Sequence, residues 1–212
     1  MFEQERTQMV ELQLEGRAIS NREVLQAMEK VPRHLFVDKK LKDQAYEDHP
    51  LPIGFGQTIS QPYIVAYMLE LSVPSPSKRL LEIGSGCGYL VAVASHLFKE
   101  VVGIERIEGL VQKSRQYLEK LHVNNTRLLC ADGALGDLDE ELFDAIIISC
   151  AVSDIPQSLL NQLAPNGLLI APVGQEFFQE LVIVEKLDDG SFERSYRGGV
   201  RFVPLLPGTE KA

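Results

Sequence analysis

The chain has 212 residues, 45% of them hydrophobic and 24% charged, which predicts a single globular domain and excludes a disordered or fibrous protein. Its net charge of −9 opposes nonspecific binding to nucleic acid and to anionic membrane surfaces. No apolar run reaches the roughly 18–20 residues that span a bilayer, and the polar, acidic N-terminus is unlike a signal peptide, so we expect a cytoplasmic protein.

Cysteine and histidine spacing gives no sign of a metal or a disulfide framework. The three cysteines are far apart and form no CxxC pair, and the four histidines show no HxxxH spacing. We therefore expect buried thiols, structural or surface histidines and no metal. The residues are Cys87, Cys130 and Cys150, and His34, His49, His96 and His122.

Residues 1–75 are predicted to form a helical N-terminal extension that ends in a ligand-binding loop. The apolar residues within 9–14 indicate an amphipathic helix. A second helix is predicted to begin at Ser20, which can cap it, and to end near Pro32. Residues 57–61 form a predicted loop before a helix with Pro62 in its first turn, where free backbone N–H groups can bind an anionic or polar ligand.

Residues 76–212 alternate short apolar runs with amphipathic stretches, after a connector at 72–79. This alternation predicts a doubly wound, mostly parallel α/β sheet, a Rossmann-like fold. Antiparallel strands are expected to extend it near the C-terminus, after a turn at 188–190. The predicted strands are 79–83, 101–104, 126–130, 143–149, 168–173, 180–187, 192–196 and 200–205, and the helices are 89–98, 108–121 and 155–163, the last ending at Pro165 to Gly167.

A glycine-rich turn follows the first of these strands, with glycines at 84, 86 and 88. Such a turn lets the backbone approach a ligand closely, although it also serves strand–helix packing. Glu105 ends the next strand, where its carboxylate can accept hydrogen bonds from both ribose hydroxyls, and Asp132 with Gly133 follows the third, within reach of an adenine amine. Taken singly, Glu105 is typical of a helix start and Asp-Gly of a turn.

The glycine spacing bears on the identity of the cofactor. Dinucleotide sites use GxGxxG to place a helix N-terminus on a pyrophosphate, whereas this turn reads GxGxG. The spacing favours a nucleoside cofactor without a pyrophosphate, and S-adenosylmethionine is the common one. Glu82 and the turn amides, including that of Ser85, are then expected near its amino-acid end.

Several longer motifs resemble the protein-L-isoaspartate O-methyltransferase family over nearly the whole chain. The most specific is GQTISQP at 56–62, whereas the glycine-rich turn is shared by many methyltransferases. Cys87, where the family often has serine, and Phe55, at a variable position, are small departures. The other matching segments are 31–37, 45–46, 52–54, 81–89, 103–106, 132–133, 143–146, 165–167, 172–174 and 200–205.

The resemblance implies transfer of a methyl group from S-adenosylmethionine to the free α-carboxylate of L-isoaspartyl residues in damaged proteins. We also expect the protein to be a monomer. Ser60 takes the active-site position, and Ile59 and Gln61 lie in the loop that closes over cofactor and substrate. The implied cofactor-binding residues are Ile59, Gln61, Glu82, Gly84, Ser85, Gly86, Gly88, Glu105, Arg106, Asp132 and Gly133, and the implied substrate-binding residues are Gln57, Thr58, Ser60 and Arg201.

The chemistry that the resemblance implies agrees with the residues of the loop. A carboxylate is already ionised at neutral pH, so attack on a sulfonium methyl needs orientation rather than a strong general base. No His–Asp pattern accompanies Ser60, so we interpret it as a hydrogen-bond donor, with a plain helix cap as the alternative. Three other functions stay open: methylation of a small metabolite, a noncatalytic S-adenosylmethionine-binding module, and an NAD-dependent oxidoreductase.

Overall fold

The computed structural model describes residues 2–137, 141–175 and 178–211. The helices are α1 (Phe2–Gln8), α2 (Arg22–Lys30), α3 (Pro62–Leu71), α4 (Tyr89–Ala94), α5 (Glu108–Lys120) and α6 (Gln157–Asn161). The strands are β1 (Leu51–Gly54), β2 (Gln57–Ile59), β3 (Arg79–Ile83), β4 (Glu100–Glu105), β5 (Thr126–Cys130), β6 (Phe143–Ile148), β7 (Leu163–Gln175), β8 (Phe178–Lys186) and β9 (Phe192–Val200). Among these described residues, no helix is long and apolar enough to cross a membrane.

Seven strands form one sheet in the order β5-β4-β3-β6-β7-β8-β9. Strands β3 to β7 are parallel, and β8 and β9 add antiparallel pairs at one edge. The chain winds outward from β3 to β5 and then crosses to β6 on the other side of β3. The carboxyl ends of β3, β4, β5 and β6 therefore meet at a topological switch point, where ligands bind in open α/β sheets. The predicted fold class is confirmed.

Continuous apolar runs explain the parallel strands. Ile146, Ile147 and Ile148 are each 0% exposed, because both faces of the sheet are covered, and a strand buried on both faces is hydrophobic throughout. One core cluster joins the N-terminal segment to one face of the sheet, and the second lies on the other face with α6.

The N-terminal helices differ in detail from the prediction. Asn21, not Ser20, caps α2, since its side chain accepts hydrogen bonds from the backbone N–H groups of Glu23 and Val24. Ser20 instead donates through its backbone and its hydroxyl to Glu70 of α3, so the Ser20 prediction was wrong. Residues 9–14 continue α1 as a wider π-helix, which leaves Leu12 exposed.

Three further segments correct the prediction. Residues 57–59 are not loop but strand β2, paired with β1 in a hairpin that interrupts the helical extension. Strand β7 begins at Leu163, and a wide irregularity in its pairing with β6 accommodates the turn residues 165–167 inside the strand rather than after it. Residues 201–205 leave the sheet, because β9 ends at Val200.

Candidate active site

The glycine-rich turn connects β3 to α4 at the carboxyl edge of the sheet. Gly84, Gly86 and Gly88 have φ angles of 77°, 54° and 81°, which favour glycine. The backbone N–H groups of Gly84 and Ser85 both donate to the carbonyl of Ile104 in β4. A Cβ at Gly84 would lie 3.2 Å from the Cys150 sulfur, so the missing side chain leaves the turn open against the residues that follow β6.

Glu105 ends β4 beside this turn and is only 6% exposed. Its Oε2 accepts a hydrogen bond of 2.9 Å from the backbone N–H of Gly86, and its Oε1 accepts one of 2.9 Å from that of Ile107. These bonds fix the carboxylate at the carboxyl edge. Each carboxylate oxygen has a second lone-pair site for a hydroxyl donor. Glu105 is therefore not the exposed helix-start residue that its sequence position alone suggests.

A narrow cleft of about 50 Å³, here called the cofactor cleft, lies over the turn and Glu105. Its floor comes from the carboxyl ends of the strands, and its cover comes from β2 and from residues 203–206. The predicted site residues on its lining are Gln57, Thr58, Gly84, Gly86, Glu105, Arg106 and Gly133. Pockets that hold cofactors usually measure about 300–1,000 Å³, so a nucleoside enters only when the cover moves.

A larger, open cavity of about 780 Å³ adjoins this cleft, and we call it the peptide cavity because residues that the sequence resemblance assigns to substrate binding lie on its wall. Thr58, Ser149, Val203 and Pro204 line both spaces, so the two meet there. The predicted residues Ser60, Gln61 and Arg201 line the peptide cavity only. Arg201 is the one charged residue among its described lining, in a protein with a net charge of −9.

Ser60 lies between β2 and α3 and is half-buried at the wall of the peptide cavity. Gln61, not Ser60, occupies the cap position of α3, and no side chain caps that helix. Among the described residues the Ser60 hydroxyl makes no hydrogen bond, which leaves it available to a ligand in the cavity. The helix-cap alternative for Ser60 does not hold.

Glu82 in β3 is 2% exposed and lies behind the junction of the two spaces. Its Oε1 accepts a 2.7 Å hydrogen bond from the Ser149 hydroxyl, and its Oε2 has no hydrogen-bond partner among the described residues. Burial raises the pKa of Glu82 from 4.5 to about 8, and the nearby carboxylate of Glu105 adds to the effect. The Glu82 carboxyl is therefore mostly protonated at neutral pH, and a cation bound nearby would favour its ionised form.

Asp132 and Arg106 hold the segment 201–210, here called the strap, across the carboxyl edge. Asp132 accepts from the backbone N–H of Ala134 through Oδ1 and from that of Gly208 through Oδ2, at 2.9 and 2.7 Å. Arg106 donates from Nε to the carbonyl of Gly208 and pairs with Glu210 at 2.9 Å. Beside Asp132, a Cβ at Gly133 would lie 2.5 Å from Ile83, so only glycine fits.

Some predicted residues lie behind the linings of the two spaces. Ile59 is 4% exposed and packs in the core, and Ser85 is also buried. Gly88 packs against α5, since a Cβ there would lie 3.0 Å from that of Ser114. With Glu82 and Asp132, these residues support the cofactor cleft from outside its described lining.

Several lining residues were not among the predicted site residues, although 203–205 lie in the matched segment 200–205. Ser149 and Cys150 follow β6, whose carboxyl end reaches the same edge as those of β3 to β5, so the argument used for Glu105 could have found them. Gln179 and residues 203–206 gave no comparable signal, because their position depends on where the strap crosses the sheet.

Comparison with known proteins identifies the family of this chain. The family profile described as Protein-L-isoaspartate(D-aspartate) O-methyltransferase (PCMT) matches residues 4–210. Protein-L-isoaspartate O-methyltransferase 1 of Syntrophobacter fumaroxidans is 50% identical over 205 residues, covering 97% of this chain and 95% of that protein. The protein-L-isoaspartate O-methyltransferase of Geobacter metallireducens is 45% identical over 205 residues, with 97% and 95% coverage.

A solved structure gives the same result. The protein-L-isoaspartate O-methyltransferase (beta-aspartate methyltransferase) of Plasmodium falciparum, in complex with S-adenosyl-L-homocysteine, superposes with a TM-score of 0.81 at 28% identity. The alignment covers 95% of this chain and 98% of that one. The chain belongs to the protein-L-isoaspartate(D-aspartate) O-methyltransferase family.

Proposed function

We propose that this protein transfers a methyl group from S-adenosylmethionine to the free α-carboxylate of L-isoaspartyl residues in damaged proteins and peptides. The observation that carries the proposal is the junction of the cofactor cleft with the open peptide cavity, where Thr58 and Ser149 line both spaces. A cofactor and a polypeptide acceptor bound in these two spaces meet at that junction. The family relationship supports the same reaction.

The residues around the cofactor cleft fit S-adenosylmethionine. Glu105 is a buried carboxylate whose oxygens can also accept the two ribose hydroxyls, and the glycine turn is a cradle that a Cβ would fill. Asp132 and Gly133, with Arg106, lie at the adenine end. Glu82 with the turn from Gly84 to Gly88, including Ser85 and Gly86, supports the amino-acid end. Ile59 supports the hairpin from the core, and Gln61 lies on the peptide cavity next to Ser60. When bound, the cofactor supplies an electrophilic sulfonium methyl and departs as S-adenosylhomocysteine.

On the peptide side, this chain orients an acceptor that is already charged. An α-carboxylate with a pKa near 4 is ionised at neutral pH, so no strong base is needed. The Ser60 hydroxyl donates a hydrogen bond to one carboxylate oxygen and leaves the other facing the junction. Thr58 lines the junction, Gln57 lies beside it on the cofactor cleft, and Arg201 attracts the carboxylate to the cavity. Alignment of the reacting atoms supplies most of the rate enhancement.

The product ester cyclises to a succinimide with loss of methanol. Hydrolysis of the succinimide returns a fraction of the damaged residues to normal aspartate, so the reaction starts a repair. We further propose that the chain acts as one domain and as a cytoplasmic monomer, without a nucleic-acid partner, in line with its net charge of −9. Gel filtration at working concentration tests the oligomeric state.

The test is transfer of labelled methyl from S-adenosylmethionine to an isoaspartyl peptide, with the matching aspartyl peptide as control. Label in the isoaspartyl peptide alone is the expected result. Turnover of a metabolite panel without turnover of the peptide would indicate another acceptor. Cofactor binding without any turnover would indicate a binding module, and tight NAD binding an oxidoreductase.

A further inference from the structure

Gln179 is a buried polar residue that has no role in the proposed reaction described above. It lies in β8, is 3% exposed and borders the peptide cavity. A buried amide is costly unless both its donor and its acceptor are satisfied. Here a single residue, Phe202, satisfies both.

The side chain of Gln179 takes the place of a backbone pair at the end of the sheet. The last backbone pairs between β8 and β9 join Gln179 to Val200 and Glu180 to Gly199. Two residues beyond Val200, the Gln179 Oε1 accepts from the backbone N–H of Phe202 at 2.7 Å, and its Nε2 donates to the Phe202 carbonyl at 3.1 Å. This two-bond clamp holds the first part of the strap as it leaves the sheet.

The clamped segment forms a wall between the two ligand spaces. Val203 and Pro204 line both the peptide cavity and the cofactor cleft, whereas Phe202 lines the peptide cavity. Beyond Phe202, the strap is also held by Ala151, which follows β6. The Ala151 N–H donates to the Val203 carbonyl at 2.7 Å, and the Ala151 carbonyl accepts from the Leu205 N–H at 2.8 Å. Asp132 and Arg106 hold its far end. The Gln179 clamp is thus the anchor on the peptide side.

We propose that Gln179 is a positioning residue for methyl transfer, whose side-chain amide fixes Phe202 and thereby aligns the strap wall of the peptide cavity with Ser60. The proposal rests on the proposed function, because it assigns the peptide substrate to that cavity. Loss of the clamp loosens the wall next to the peptide, while the cofactor side keeps its separate anchors.

The chain contains a matched control for this clamp. Gln162 accepts from the backbone N–H of Asp137 at 2.9 Å and donates to the carbonyl of Leu135 at 2.9 Å. It thus makes the same two bonds to a segment outside both ligand linings. Gln179→Met and Gln162→Met each remove one such clamp and keep a side chain of similar length.

The experiment measures kcat and KM for an isoaspartyl peptide, S-adenosylhomocysteine affinity by calorimetry, and Tm. For Gln179→Met we expect about a tenfold or greater fall in kcat/KM, mainly through a higher peptide KM, with cofactor affinity within about twofold of wild type. Gln162→Met removes a clamp that is more exposed, so it should lower Tm by no more than Gln179→Met does, and it should leave the peptide KM unchanged. A Gln179→Met enzyme with wild-type peptide kinetics overturns the proposal, as does an equal loss of cofactor affinity.

A second variant keeps the test valid if Gln179→Met does not fold. In Gln179→Glu, the ionised carboxylate still accepts a hydrogen bond from the Phe202 N–H, but it repels the Phe202 carbonyl oxygen. When the carboxyl is protonated, its O–H can donate to that carbonyl as the amide does. The peptide KM relative to wild type should therefore be closer to normal at acidic than at mildly alkaline pH, and a defect independent of pH overturns the clamp as the cause. A wild-type enzyme that methylates no isoaspartyl peptide refutes the proposed function itself, which is a separate outcome.

Discussion

Ser60 combines a fixed backbone with a hydroxyl that has no hydrogen-bond partner in the described part of the chain. Its neighbours are held by the β1–β2 pairing on one side and by α3 on the other, so the backbone fixes where the hydroxyl is presented. Binding of a carboxylate at such a group costs little reorganisation, since no existing bond has to break. This geometry suits an orienting donor better than a nucleophile.

Replacement of Ser60 by alanine should reduce methyl transfer and spare the cofactor. We expect kcat for the isoaspartyl peptide to fall about 10- to 100-fold, because one preorganised donor to the acceptor is lost. The affinity for S-adenosylhomocysteine, measured by calorimetry, should stay within about twofold of the wild-type value. Ser77→Ala in the exposed connector is the control, and unchanged turnover in Ser60→Ala would remove the role assigned to that hydroxyl.

The raised pKa of Glu82 predicts how the stability of the cofactor-free protein depends on pH. The folded state keeps the carboxyl protonated up to a pKa of about 8, whereas the unfolded value is near 4.5. The resulting stabilisation is complete below the unfolded pKa and is lost as pH rises through the folded pKa, with a slope of at most about 1.4 kcal/mol per pH unit.

Glu82→Gln removes that slope, because its amide oxygen still accepts from Ser149 and no longer titrates. Urea unfolding at several pH values between 4.5 and 8 measures the free energy of unfolding of both proteins. The wild type should lose stability relative to the variant as pH rises across this range. If the free energy of unfolding changes with pH in the same way in both proteins, burial does not raise the pKa of Glu82.

At the scale of single residues, the sequence predicted the positions that topology determines. Gly84, Glu105 and Gly133 follow successive parallel strands, so they had to reach the same edge. The choice of Asn21 over Ser20 as a cap depends on Glu70, which is close only in the folded protein. The Gln179 clamp was unpredictable for the same reason, since its partner is a backbone segment that leaves the sheet.

Among the elements, the β1–β2 hairpin covers the cofactor cleft and is anchored through its tip. Phe55 at the tip has a φ angle of 54° and packs over Gly109 in the first turn of α5. The Lys113 ammonium lies 5.3 Å from the centre of the Phe55 ring. Gln57 and Thr58 of this hairpin line the cofactor cleft. We therefore expect the contact between Phe55 and α5 to determine how far the hairpin closes over the cleft.

Gly109→Ala should loosen the hairpin, because the new Cβ would lie 2.6 Å from the Phe55 ring. Replacing glycine by alanine inside a helix normally raises the free energy of unfolding by up to about 1 kcal/mol. If Gly109→Ala lacks this gain, the clash with Phe55 has offset it. We expect faster dissociation of S-adenosylhomocysteine in stopped-flow experiments.

The control for Gly109→Ala is the same change in a Phe55→Ala background, where the ring is absent and the substitution should stabilise the protein. Equal effects in both backgrounds would show that the ring and the glycine are not coupled.

Strands β3 and β5 were predicted to the residue, and β4 and β6 to within one residue at either end. Two segments differ more. Strand β7 contains a Pro-Asn-Gly turn signal that the structure accommodates as an irregularity, and Asn166 there has a φ angle of 59°. Residues 201–205 have the alternation of a strand, but the Gln179 clamp and Ala151 hold them outside the sheet.

In the whole molecule, the strap connects distant parts of the sequence around one ligand space. It starts at the edge strand β9, crosses the carboxyl edge and ends on Asp132 and Arg106. With the hairpin, it leaves only about 50 Å³ in the cofactor cleft, so cofactor exchange requires one of the two covers to open.

A chain that stops after Pro207 lacks Gly208 and Glu210, and so loses the distal anchors of the strap. We expect weaker binding and faster release of S-adenosylhomocysteine, by about tenfold, because five contacts of Gly208 and Glu210 are removed, two of them backbone hydrogen bonds of Glu210 with Arg106 and Glu108. A chain that stops after Glu210 keeps these contacts and serves as the control. Identical release rates in the two shortened chains would show that the far end of the strap does not restrain the cover.

The strap also determines when the protein becomes able to bind its cofactor during synthesis. Residues 57–58 and 203–206 cover the same cleft, although almost 150 residues separate them. The central sheet can form while later residues are still inside the ribosome, since domains begin to fold as they emerge. The cleft, however, has no second cover until the chain as far as residue 210 is outside. We therefore expect S-adenosylmethionine to bind and stabilise the growing chain only weakly before the strap has emerged and covered the cleft.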